Sequence, residues 1–279
     1  MILEPGLPIE KVYDILISKI RGYFEGAGIK KAVLGLSGGV DSALVAALAA
    51  DALGAENVHG IMMPSHFSTG HSISDSERLA SNLGISSETI PIGDIYDSAM
   101  ASMAHYFADG RWDTTQENLQ ARIRAMILMA YSNRFNALVL NTSNKSELSA
   151  GYGTLYGDLA GAIMVIADLY KLQVYELCRY INRDSERIPE HILTKAPSAE
   201  LKPGQKDSDS LPEYEMLDRV LHMLNEEGMT EDEVLASFSD KEAARRAIGL
   251  RRKSSFKMAQ VPPMLTVGSK PLAHPTKCI

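Results

Sequence analysis

The sequence predicts an α/β fold, doubly wound around a mainly parallel sheet with helices on both faces, and three observations carry that prediction. Four short runs, 32–36, 58–63, 87–92 and 137–142, are rich in Val, Ile and Leu. Helical stretches at 41–53, 75–83, 94–108 and 116–133 alternate with them, as expected for parallel strands joined by crossover helices. The turn Ser37-Gly38-Gly39-Val40-Asp41-Ser42 joins the first run to its helix, where such folds receive anions.

Taken in order, Ile9, Val12, Ile15, Leu16, Ile20, Tyr23 and Phe24 recur at three- and four-residue spacing and make an amphipathic helix that ends near Gly26 and Gly28. Ser74 and Glu77 are spaced as a capping box for the helix at 75–83. In open parallel sheets ligands sit beyond the carboxyl ends of the strands, at the point where strand order reverses. The polar segments 37–42, 64–74 and 141–147 are therefore candidates for a site. After Tyr180 the periodicity stops, and the proline-rich polar stretch 191–215 reads as a long loop. Loops of this kind often serve as lids. The whole chain, 1–279, reads as one domain with a mobile loop at about 197–213 and a helical tail at about 214–279.

Composition narrows the function classes. With 45% hydrophobic and 23% charged residues the chain has the balance of an ordinary globular protein, and no apolar run reaches a membrane span. A formal net charge of −7 argues against nucleic acid as a partner. The one basic cluster, 244–253, reads as a solvated helix face. The first sixteen residues lack the basic and small-residue signals of a secretory leader, and Cys178 and Cys278 have no metal spacing. A cytoplasmic protein with Cys178 packed in the core is expected.

The Ser37–Ser42 turn offers backbone N–H groups and a helix N-terminus to phosphate, yet lacks the lysine of the common nucleotide loop. Asp41 stands there instead. A carboxylate beside phosphate makes sense if Mg²⁺ lies between them, because Mg²⁺ takes carboxylates together with phosphate oxygens. Glu147, beyond the fourth run on the same sheet edge, could share that ion. Asn118 and Arg122 lie four apart on one helix face. The apolar stripe Met126, Ile127, Met129 and Ala130 reads as core or subunit interface.

The hexad resembles the signature of the N-type ATP pyrophosphatases, which transfer AMP from ATP to an acceptor oxygen and release pyrophosphate. The segments 63–85, 114–133 with "ENLQARIR", 140–161 with "GYGTLYGD", and 256–263 are similar to the NAD synthetase family and lie in its order. That resemblance implies a five-stranded, adenine nucleotide alpha hydrolase-like fold and ATP-dependent amidation of deamido-NAD to NAD. It implies ATP contacts from Ser37, Gly38, Gly39, Asp41, Ser42, Thr142, Lys171 and Ser198, with Mg²⁺ held by Asp41 and Glu147. Catalysis would fall to Asp41, Glu147 and Lys171. Asn118, Arg122, Asp158 and Lys257 would hold deamido-NAD, in a homodimer. Phe256 stands where stand-alone members commonly have His, so only Lys257 carries over there, and Met129 holds the place of an expected tyrosine. The synthetase helix begins within the first ten residues, which favours ammonia as nitrogen donor, either free or supplied by a separate glutaminase subunit. A GMP synthetase core is the alternative.

Overall fold

The computed structural model describes residues 7–268 and Leu272. Its centre is a five-stranded, all-parallel sheet in the order β3-β2-β1-β4-β5. The strands are β1 (Lys31–Gly35), β2 (Val58–Met62), β3 (Ser86–Thr89), β4 (Ala137–Asn141) and β5 (Ile163–Met164). Successive side chains of a strand point to opposite faces, so β1 feeds two cores at once. Ala32 and Leu34 pack with α1 (Ile9–Ala27) and α2 (Val40–Leu53), whereas Val33 packs with Ile61, Ile92, Tyr96 and Ile123 on the other face. Burial on both faces is why β1 reads as a continuous apolar run, whereas the edge strand β3 is polar and exposed.

The chain runs outward from β1 through β2 to β3, then returns to place β4 on the opposite side of β1. The order therefore reverses between β1 and β4, and their carboxyl ends open a crevice there. Two helices build its walls: α3 (Gly70–Leu83) and α5 (Thr114–Phe135). The expected cap at Ser74 is corrected: the helix starts at Gly70 and Thr69 is its cap, accepting from the Ser72 N–H. Ser74 lies inside, where its hydroxyl donates to the His71 carbonyl. The helix expected over 94–108 divides into α4 (Gly93–Ser102) and a separate 3-10 turn, Ala104–Phe107.

Behind β4 come α6 (Lys145–Ala150) and α7 (Lys171–Ile181), followed by the short α8 (Glu190–Thr194). The tail forms α9 (Tyr214–Asn225), α10 (Glu231–Ser237) and α11 (Lys241–Met258), which share a core of Leu217, Val220, Leu221, Val234, Phe238, Ala247 and Ile248. α11 packs on α6, and Met264 bridges to Met164 of β5, so this tail backs the crevice. In the basic cluster, Arg251 donates to Asn225 and Arg252 pairs with Glu231, which makes them helix-to-helix ties. Cys178 is fully buried and its thiol pKa is raised by that burial; Cys278 lies outside the described residues. Among the described residues no helix is long and apolar enough to cross a membrane.

Candidate functional site

A cavity of about 310 Å³ occupies the crevice between the ends of β1 and β4. That volume is within the range of small-ligand pockets. The Ser37–Ser42 loop forms one end of it. Ser42, buried at the start of α2, donates through Oγ to the Gly39 carbonyl (3.0 Å) and accepts from the Ser37 N–H (3.3 Å). The Ser37 and Ser42 hydroxyls are 3.1 Å apart. This keeps the loop tight and turns the start of α2, with its unpaired N–H groups, toward the cavity.

Gly38 is the position where only glycine fits. Its φ is +73°, and a Cβ there would lie 2.5 Å from the Ser72 carbonyl oxygen. Strained backbone and a clash with backbone act together, so Gly38→Ala should cost about 2 kcal/mol or more of stability. Thermal unfolding would read this as a Tm lower by several degrees. An unchanged Tm would show that α3 can move away from the loop.

Behind the loop lies a charged centre. Lys171, the first residue of α7, extends Nζ to Asp41 Oδ2 (2.5 Å) and Glu147 Oε1 (3.4 Å), and is 2% exposed. Asn144 caps α6 and also donates from Nδ2 to Asp41 Oδ1 (2.9 Å), which ties the β4 end to the glycine loop. Burial would lower the lysine pKa, but the charges of Asp41 and Glu147 outweigh it and hold it well above the usual value. Glu147 moves the other way: burial raises its pKa, the Asp41 charge adds to that, and Lys171 only partly offsets it. Asp218 of α9 braces this centre from the rear. It accepts from the Ser146 hydroxyl of α6 and from the Leu172 N–H of α7 (3.0 Å), and burial pushes its carboxyl up to about 6.

Asp41 and Glu147 thus set two carboxyl groups against one buried lysine. Asp207, in the segment after α8, faces Glu147 as well, and Tyr152 and Tyr214 donate to its carboxylate. The described residues contain no cluster of three or more His, Cys, Asp or Glu able to hold a metal by themselves. The donor set nevertheless fits Mg²⁺, which binds through one or two carboxylates and completes its shell with water and substrate phosphates. Asp41 and Glu147 are the residues that would hold it.

Thr142 follows β4 and lines the cavity, as do Asp158 and Ser198. The Ser198 hydroxyl donates to the Gln205 carbonyl (2.6 Å) and accepts from the Glu200 N–H (3.1 Å). Asn118, Arg122 and Lys257 do not line the cavity; they grip the 151–158 turn from outside. Thr154 donates to Asn118 Oδ1 (2.7 Å), Arg122 Nε to the Leu155 carbonyl (3.2 Å), and Lys257 Nζ to the carbonyls of Gly151 (2.7 Å) and Gly153 (2.6 Å). The Thr154 N–H in turn donates to Asp158 (2.6 Å). The turn thus stands between an inner pocket and an outer cluster.

Sequence reading missed Arg124. It lies two residues from Arg122, so it faces the opposite side of α5. Arg124 lines the cavity and donates from Nε to the Met63 carbonyl (3.0 Å), and burial lowers its pKa to about 10. Its signal was the second Arg of "ENLQARIR". The apolar stripe is not core: Met126 is 53% and Met129 43% exposed, with Ala130 exposed beside them, while Ile127 packs inward.

Residues 12–261 match the model of the family described as NAD synthase. The glutamine-dependent NAD(+) synthetase of Synechocystis sp. is 48% identical over 266 residues, which cover 94% of this chain and 47% of that protein. The chain spans about half the length of the curated relatives it matches. Among solved structures, the NH3-dependent NAD synthetase from Campylobacter jejuni, in complex with the nitrate ion, gives a TM-score of 0.73 at 32% identity, covering 90% of this chain and 96% of that one. The glutamine-dependent NAD+ synthetase from Acinetobacter baumannii, in complex with ADP, gives 0.66 at 38% identity, over 96% of this chain and 48% of that one.

Proposed function

Because the chain belongs to the NAD synthase family, we propose that it is a ligase that amidates deamido-NAD to NAD at the expense of ATP. The observation that carries this reading is the convergence of Asp41, Glu147 and Lys171 behind an anion-binding glycine loop in one cavity.

In this reading the β- and γ-phosphates of ATP lie on the Ser37–Ser42 loop, against the N–H groups of α2, with Thr142 and Ser198 along the nucleotide. The nicotinate carboxylate of deamido-NAD attacks the α-phosphorus. The bond to the bridging oxygen breaks, and pyrophosphate leaves into the loop. Bound Mg²⁺ would supply positive charge to the departing phosphates. Lys171 adds a fixed, permanently protonated charge beside the same oxygens. Ammonia then adds to the acyl carbon, AMP departs and a proton is lost, giving the carboxamide. Catalysis rests on positioning and electrostatics, with no covalent bond to the protein.

The 151–158 turn, gripped by Asn118, Arg122 and Lys257, positions the acceptor, with Asp158 facing its pyridine end. Arg124 adds a buried positive charge on the wall between acceptor and nucleotide. The lid segment 197–213 closes over the adenylate. Two copies pair through the exposed Met126–Met129 face of α5, in a cytoplasmic homodimer. Ammonia is the nitrogen source for this chain, and glutamine requires a glutaminase domain or subunit to release it.

The test is NAD formation by purified protein with deamido-NAD, ATP and Mg²⁺, with ammonium or glutamine as donor. Turnover with ammonium alone is expected. Equal turnover with glutamine and no second protein would overturn the donor assignment, and no NAD with either donor would overturn the function.

A further inference from the structure

The segment that follows α8 crosses the cavity mouth as a strap, and Glu200 fastens it to α3. The Glu200 carboxylate accepts from the Thr69 N–H (3.2 Å), the Thr69 hydroxyl (3.0 Å) and the Ser72 hydroxyl (2.7 Å). Thr69 is the N-cap of α3, so this carboxylate sits at the positive end of a fourteen-residue helix. The adjoining residues fasten to the opposite wall. Gln120 of α5 donates to the Leu201 carbonyl (2.8 Å), and Lys202 lies 3.7 Å from Glu117. Glu200 itself has a φ of +49°, a conformation that a non-glycine residue keeps only when its surroundings impose it. The strap carries Ser198, Glu200 and Asp207 into the cavity lining, and the Ser72 backbone lies against Gly38 of the glycine loop.

Resting on the function proposed above, we infer that Glu200 is a positioning residue that keeps the strap shut over the adenylated intermediate, so that ammonia rather than water resolves it. The competing reaction is plain. Water adds to the same acyl carbon, the bond from that carbon to the phosphate oxygen breaks, AMP leaves and a proton is released. Deamido-NAD is regenerated and ATP is lost as AMP and pyrophosphate. A strap fastened on both walls excludes that water. A strap held on the α5 side alone swings open, with the hinge relaxing at the strained residue.

Glu200→Ala removes the fastening to α3, and amide exchange in the ligand-free protein reads that loss apart from turnover. In the ligand-free protein, backbone amide exchange over 198–206 should quicken by about tenfold or more, because charge-assisted hydrogen bonds are the stronger ones lost. In turnover with ammonium, the AMP formed per NAD should rise from near unity by about threefold or more, since closure is what excludes water. Glu200→Gln keeps an oxygen for the hydroxyl donors and should fall between. Faster exchange with AMP and NAD still equal overturns the inference, and so does unchanged exchange. Should the wild type form neither product, the proposed reaction fails, and the exchange experiment on ligand-free protein still decides whether Glu200 fastens the strap.

Discussion

Asp41→Ala should reduce ATP-dependent pyrophosphate release by about 10²- to 10³-fold, the scale on which preorganised electrostatic groups act. The effect is expected to be chemical rather than structural. Asp41 and Glu147 face the same lysine, and removing one carboxylate relieves the repulsion that helps raise Glu147. In the variant the Glu147 pKa should therefore fall, while burial, the larger cause, keeps it above the ordinary carboxylate range, and the fold should retain its Tm within a few degrees. Pyrophosphate release, thermal unfolding and deamido-NAD binding measured side by side check this. Near-normal pyrophosphate release would remove Asp41 from the reaction.

Lys171→Met should show the opposite balance, with stability and activity lost together. The lysine is buried against two carboxylates, and breaking such a group by removing its one cation costs about 3–5 kcal/mol. Urea unfolding near neutral pH should show this as a lower midpoint at unchanged slope. The loss should shrink as pH falls, because Glu147, already raised, takes up a proton once the lysine is gone and the remaining charge is relieved. Millimolar Mg²⁺ should also recover part of it, since a divalent ion would then be the available counter-charge. A variant as stable as wild type at every pH would mean that water screens these carboxylates far better than their burial implies.

How much of this was legible in the sequence varies with what each residue touches. The β1 turn and α2 could be read directly, because an apolar strand, a glycine turn and an acid at a helix start each have a single local cause. α5 was harder to delimit, since its buried face carries Gln116 and Gln120 as well as apolar residues. The start of α3 was misplaced because "HFSTGHS" has no apolar period, and its true cap, Thr69, is read only through the hydroxyl that meets Ser72. β5 is two residues long and offers no pattern. Within the site, the positions after the strands could be predicted from the fold rule. Arg124, Asp218 and Glu200 could not, because each acts on a segment distant in sequence: Met63, Leu172 and Thr69.

Asp218 has a wider consequence. One carboxylate receives both the hydroxyl beside Glu147 and the N–H beside Lys171, and the same hydroxyl also receives the Lys171 N–H. The acid and the base of the charged centre are thus mounted on a common bracket supplied by the last third of the chain. Their relative placement is therefore set by α9, and changes at the front of the cavity leave it in place. Trimming the rear helices would loosen that pairing even where the sheet survived.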